Sequence, residues 1–284
     1  MCRQNIVQQI VKEQGKMNLE TVTGMVLSAM PIGEYDKRIV LLTKERGRIS
    51  AFAKGARRAN SALMAAGQPF AFGTFTLYQG RNSYTVNSAE ISNYFEEVKG
   101  DLIKITYASY FCEVAAYLTY ENMEATGLLK LLYQSFVALA FPKIPDELVR
   151  DIFEIKALCF NGEMPEMFSC VKCKRKQKDL HQVFLGGFSS KAGGMICKEC
   201  VSQVSDLLVI SATTVYALQY IVTSSVEKLY TFLLEPDSLR ELKEVAKQYM
   251  ACYAQGQFHS LEMLDVFTSS FEKEDFRKQK RLEK

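Results

Sequence analysis

Four of the eight cysteines in this 284-residue chain fall into two identical spacings, Cys170-Val-Lys-Cys173 and Cys197-Lys-Glu-Cys200. Two C-x-x-C turns twenty-odd residues apart can bring four thiolates to the corners of a tetrahedron, which is the ligand set of a structural zinc ion. Four sulfurs fill the coordination shell and leave no open position for a catalytic water. A redox role needs one such pair, not two. The alternative is disulfides, but the chain reads as cytosolic, where thiols stay reduced. His181 lies between the pairs and could replace a cysteine as ligand, yet four cysteines already suffice. Cys2, Cys112, Cys159 and Cys252 stand in apolar or terminal contexts and read as unreactive thiols. The expected cofactor is therefore one structural Zn2+ on Cys170, Cys173, Cys197 and Cys200, folding a glycine-rich segment that has little else to hold it.

A second constellation is electrostatic. Between Lys37 and Arg81 the sequence carries nine Lys or Arg residues against a single acid, Glu45, although the whole chain has a net charge of only +3. Clustered charge of one sign creates a field that gathers a polyanion. The densest part, "GRISAFAKGARRAN", runs from a strand-like alternation into Lys54, Arg57 and Arg58. The alternative is a solvated face balanced by acids from elsewhere in the fold.

Elements that could position these groups follow from periodicity. Five short β-like runs occupy 21–30, 37–43, 47–54, 70–79 and 83–91, separated by "PIGEYD", "KERG", a longer "GARRANSALMAAGQP" and "GRN". Five antiparallel strands in about 75 residues suit a small closed barrel of the oligonucleotide-binding (OB) type, which removes most exposed strand edges. In the third run the period of two sends Ile49, Ala51 and Ala53 to one face and Arg48, Ser50, Phe52 and Lys54 to the other. Cations for phosphates beside a flat ring for a base is the make-up of a single-strand groove, although Phe52 could equally be packing.

From residue 101 onward the pattern is helical. "DLIKITYASYFCEVAAYLTYENM" is apolar around most of its circumference and so predicts a buried helix. "GLLKLLYQSFVALAF" stops at Pro142, "PDELVRDIFEIKALCFNG" starts near Pro145 and ends at Gly162, and "SATTVYALQYIVTSS" and "EPDSLRELKEVAKQYMACYAQG" follow the cysteines. In the last, Leu239, Leu242, Val245, Ala246, Tyr249, Met250 and Tyr253 form one apolar stripe, read as bundle packing with a partner site as the alternative. The expected class is α+β: an extension over 1–17, an OB barrel over 18–98, a helical domain over 99–167 and 205–262 with a zinc ribbon over 168–204 inserted, and a charged tail over 263–284.

Several classes are disfavoured. No apolar run reaches the roughly 18 residues that a membrane-spanning helix requires, and the first residues are too polar for a secretion signal. There is no phosphate-cradling G-x-x-x-x-G-K-[ST], because "AKGARRANS" lacks the first glycine and the Lys-Ser/Thr pair. No H-x-E precedes a cysteine pair, as a zinc deaminase needs. With two histidines, His181 and His259, and no evident carboxylate pair, the chain reads as a binder and not an enzyme.

The order "TGMVLSAMPIGEYDKRIVLLTKERGRISAFAKGARRANS", "QPF", "LYQGRN", "DLIKITYASYFCEVA" and two cysteine knuckles around a "GG" segment resembles the bacterial RecO family of recombination and repair mediators. The resemblance spans roughly Thr21 to Met263. It implies an OB barrel, a helical domain and an inserted ribbon. It also implies a cytoplasmic, nucleoid-associated protein that binds single- and double-stranded DNA, anneals complementary strands, and with RecR helps RecA displace the single-stranded DNA-binding protein. Two points depart from the family: the sixteen residues before Met17 match nothing in it, so Met17 could be the true start or 1–16 a short helical extension, and not all members keep four cysteines. On this reading Lys54, Arg57 and Arg58 grip phosphates beside the barrel face, with Arg81, Lys37 and Arg38 as secondary contacts. A zinc-ribbon transcription factor and a protein-binding scaffold remain as rival classes.

Overall fold

The computed structural model describes residues 19–80, 83–141, 143–176, 185–264 and 266–267. The expected extension, Arg81, His181 and nearly all of the expected charged tail lie outside the described residues. The chain divides into two compact units, one built from its first 94 residues together with Tyr120–Ala125, the other from Phe95–Thr119 and the remainder.

The first unit contains five strands, β1 (Leu19–Ile32), β2 (Asp36–Thr43), β3 (Gly47–Ala53), β4 (Phe72–Gln79) and β5 (Tyr84–Asn93), closed into a barrel in the order β1-β2-β3-β5-β4. All neighbours are antiparallel except β3 and β5, which run parallel where Ala51 and Phe52 meet Tyr84 and Thr85. Alternation does what it predicts in β3: Ile49, Ala51 and Ala53 are buried, while Arg48, Ser50 and Phe52 are half-buried on the outer side. Val22, Val26, Ile39, Leu41, Phe75, Leu77 and Val86 fill the interior. Curvature is made where β1 crosses β4. Gly24 and Gly73 are partners there, and a Cβ on Gly73 would lie 2.1 Å from the Glu90 carbonyl oxygen, so only glycine allows the backbones this close.

One helical expectation ends early. The run beginning at Asp101 leaves the helix at Leu118, and Tyr120–Ala125 belongs to the barrel unit. The Arg48 N–H donates to the Tyr120 carbonyl at 3.1 Å, and the Tyr84 hydroxyl donates to Glu121 at 2.8 Å. Burial and that carboxylate push the hydroxyl up to about 12. The first contact satisfies a backbone donor of β3, and the second ties the segment to β5 through a side chain.

The second unit holds α1 (Leu102–Leu118), α2 (Thr126–Ala140), α3 (Asp146–Phe160), α4 (Ala212–Thr223) and α5 (Pro236–Tyr253). Asp101 caps α1 by accepting from the N–H groups of Ile103 and Lys104, satisfying donors with no intrahelical partner. In its core Phe111 stacks on Phe153 at 4.3 Å between centroids, and the buried Glu154 accepts from the Tyr110 hydroxyl at 2.6 Å and from Arg150 at 2.7 Å. The Lys156 ammonium donates to the carbonyls of Ile221, Val222 and Ser224, placing a cation on the negative end of α4. On α5 the expected stripe is buried at Leu242, Val245, Ala246, Tyr249 and Met250, but at its start Ser238 is buried and Leu239 only half so. Between α3 and α4 lies a small sheet of β6 (Leu185–Ser189), β7 (Gly194–Cys197) and β8 (Leu207–Leu208) in the order β7-β6-β8, with a 3-10 helix over Lys198–Gln203. No described helix is long and apolar enough to cross a membrane.

Candidate metal centre and nucleic-acid interface

The four cysteines of the two spacings converge. The sulfurs of Cys170, Cys173, Cys197 and Cys200 all lie within 4.8 Å of one another, and Cys173 and Cys197 are 3.7 Å apart. Sulfurs at the corners of a tetrahedron around zinc stand about 3.8 Å apart, given a Zn–S bond of about 2.3 Å. Local structure accounts for the convergence. Cys170 opens a tight turn closed by Lys174 N–H to Cys170 carbonyl at 2.8 Å, and its own N–H donates to Arg175. Cys197 ends β7, and Cys200 follows on the 3-10 helix. An Arg175–Glu199 ion pair ties one knuckle to the other.

The sulfurs differ electrostatically. Burial opposes ionisation of Cys170, but hydrogen bonds from the N–H groups of Cys173, Cys197 and Lys172 outweigh it and bring the thiol down to about 6. Burial, then the neighbouring sulfurs, push Cys200 up to about 12. Four sulfurs this close cannot all ionise beside one another without a cation. The donor set therefore fits a thiophilic divalent metal.

The cations are organised by one turn. Lys54, Arg57 and Arg58 follow β3 directly and are all exposed. The turn is braced on the β1–β2 hairpin: the Asp36 carboxylate accepts from the Gly55 N–H at 2.7 Å, the Tyr35 carbonyl accepts from the Arg57 N–H at 2.9 Å, and the Gly33 carbonyl accepts from the Arg57 guanidinium at 3.2 Å. The Arg58 guanidinium lies over the Tyr35 ring, 4.8 Å from its centroid. Beyond the turn the segment plugs the barrel, with Ala56, Ala66 and Ala71 in its core and Val26 bonded to both Phe70 and Ala71. The charges thus ride on a fixed support. Among the described residues, neither Lys54, Arg57 nor Arg58 forms an ion pair with a carboxylate.

The secondary cations separate. Arg38 is exposed and faces Phe52 across β2–β3, with its Nε donating to Ser50 at 2.8 Å. Lys37 turns the other way and donates to the Gly67 carbonyl at 2.7 Å, so it fastens the loop. Arg81 lies outside the described residues. Arg46, counted in the local excess, is paired at 2.7 Å with Glu20, an acid from outside that window. Sequence reasoning passed over Tyr35 and Asp36 because "GEYD" registers as turn punctuation; the exposed aromatic inside it was the available signal.

Known families match both units. A family described as "Recombination protein O N terminal" matches residues 17–95, and one described as "Recombination protein O C terminal" matches 99–262. A protein named "DNA repair protein RecO" from Alkaliphilus metalliredigens is 34% identical over 241 residues, covering 84% of this chain and 96% of its own. A protein of the same name from Acetivibrio thermocellus is 33% identical over 249 residues, covering 87% and 97%. A five-stranded barrel with a braced cationic turn, followed by helices and a four-cysteine cluster, thus occurs in a chain matched along most of its length by these families and proteins, and the chain belongs to the RecO family of recombination and DNA repair proteins.

Proposed function

We propose that this chain is a non-enzymatic mediator that binds single- and double-stranded DNA through its barrel. It anneals complementary strands and, with RecR, helps load RecA onto DNA coated by the single-stranded DNA-binding protein. The observation that carries the reading is the turn of Lys54, Arg57 and Arg58: three exposed cations on a rigid brace, with no carboxylate partner among the described residues. Such cations neutralise phosphates and release their counterions, which positions a strand without reading its sequence. Annealing follows because two strands whose charges are screened can be held together. Arg38, beside Phe52, extends the contact along the barrel face, and Arg81 is assigned to the same role. In this scheme residues 18–98 hold DNA, the 168–204 segment is a ribbon folded by Zn2+ on Cys170, Cys173, Cys197 and Cys200, and the helical domain over 99–167 and 205–262 carries surfaces for protein partners. The working location is the nucleoid.

Fluorescence anisotropy against several unrelated single strands, titrated with salt, tests this. Each phosphate neutralised on a single strand contributes about −0.7 to the slope of log affinity against log salt. Changing Lys54, Arg57 and Arg58 together to alanine should flatten the slope by about two units and weaken all sequences alike. An unchanged slope overturns the assignment of these residues. A strong preference for one sequence would favour a transcription factor, and no binding by the unaltered protein at low salt a protein scaffold.

A further inference from the structure

The hairpin that braces this turn carries a group that charge neutralisation does not use. Tyr35 stands at the tip of the β1–β2 hairpin with 42% of its surface open, although the Arg58 guanidinium covers part of its ring at 4.8 Å. The ring is not there to fill the core, and the hydrogen bonds that brace the turn do not use its side chain: they use the Gly33 and Tyr35 carbonyls and the Asp36 carboxylate. The hairpin around it is apolar and exposed, with Met30 open to 65% and Ile32 to 40%. Glu34, the neighbouring residue, whose carboxylate raises the Tyr35 hydroxyl above its ordinary value, adds a negative charge that repels a phosphate at this spot. A flat ring stacked with a guanidinium, bordered by apolar side chains and a carboxylate, with phosphate-seeking cations one turn away, suits a nucleobase whose own phosphate lies over Lys54 and Arg57. An aromatic face takes any base, and an arginine over the ring adds a cation–π contribution.

We infer that Tyr35 and Arg58 form a stacking platform for one unpaired base, so that this hairpin favours single strands over duplex. The inference rests on the reading of the barrel as a DNA-binding surface. Bases in a duplex are already stacked on one another and offer the platform no face, whereas a flexible single strand can place one there.

The experiment uses the full chain with three probes of equal length: a single-stranded oligothymidylate, an abasic oligomer with the same phosphates, and a duplex. Loss of one base–aromatic stack corresponds to roughly tenfold in affinity. Tyr35→Ala should weaken oligothymidylate binding about tenfold with an unchanged salt slope and leave the abasic and duplex affinities as they were; Tyr35→Phe should retain wild-type binding. Because the chain contains no tryptophan, Tyr35→Trp supplies a single indole whose emission should be quenched by oligothymidylate and not by the abasic oligomer. Equal losses on all three probes, or no loss on oligothymidylate, overturn the platform while leaving the barrel a DNA binder. Unaltered protein that binds none of the probes at low salt overturns the underlying reading as well. Thermal melting of Tyr35→Ala at the wild-type temperature establishes that any loss is not unfolding.

Discussion

The barrel and the cysteine segment are both small β structures, yet their interiors are made of different material. The barrel encloses Val22, Ile39, Leu41, Phe75, Leu77 and their neighbours, whereas the buried cluster of the cysteine segment consists of Ile196 with Cys170, Cys197 and Cys200. Side chains of the first kind leave water spontaneously, at about 25 cal/mol per Å2 of apolar surface. Strands as short as Gly194–Cys197 and Leu207–Leu208 bury too little to offset the conformational entropy of ordering them. One region carries its cohesion in its own atoms, and the other gathers four sulfurs close enough to hold an ion.

The sharpest way to break this contrast is to remove the ligands. Replacing Cys170 and Cys197 by serine should abolish bound metal and cost on the order of 5 kcal/mol or more locally, since metal binding at such a site is coupled to folding. Elemental analysis and amide exchange check it, with protection lost in β6 and β7 and kept in β1–β5. Native protein that contains no zinc and exposes four titratable thiols would remove the distinction altogether. Next in size, Phe75→Ala in the barrel should cost about 3–5 kcal/mol through the cavity it leaves. That loss, read from denaturant midpoints, should be the same with and without a chelator, because among the described residues the cluster of metal-ligating side chains lies in the cysteine segment. Smallest is the effect of the cations on folding: changing Lys54, Arg57 and Arg58 to alanine should move stability by no more than about 0.5 kcal/mol. A larger drop in melting would mean that the turn stabilises the barrel through its charges and not through Ala56, Ala66 and Ala71.

Strands β3 and β4 could be read directly because alternation gives each a drier and a wetter face, β1 and β2 because their buried runs are bounded by turn signals, and the two C-x-x-C spacings because a tetrahedral site demands them. What escaped was decided by residues far apart in the chain. Glu20 pairs with Arg46 from 26 positions away, and a window opened at Lys37 leaves it out. Lys37 looked like its neighbour Arg38, and its bond to the Gly67 carbonyl, 30 positions away, was beyond any local pattern. The alanines that plug the barrel gave no signal, since Ala56, Ala66 and Ala71 lie in a segment of turn residues with neither a strand nor a helix period. The helix stops at Leu118 although no proline or glycine stands there, because Tyr120–Ala125 serves the barrel unit. On α5, Ser238 is buried where periodicity favoured Leu239, a quarter-turn difference below what a pattern resolves.

The seam between β3 and β5 is only two residue pairs long, Ala51 with Tyr84 and Phe52 with Thr85, while the seams β1–β2, β2–β3, β1–β4 and β4–β5 are each much longer. A cylinder with one short weld opens along that weld first. Sub-global opening draws on the least-bonded part of a structure and occurs at a free energy below that of full unfolding. Here the weld is reinforced from outside the strands, because Tyr120 bonds Arg48 on β3 and Glu121 bonds Tyr84 on β5. The segment 120–125 is thus the clasp of a split ring, whose lips are the β1–β2–β3 meander with Arg38, Phe52 and the braced turn, and the β4–β5 hairpin.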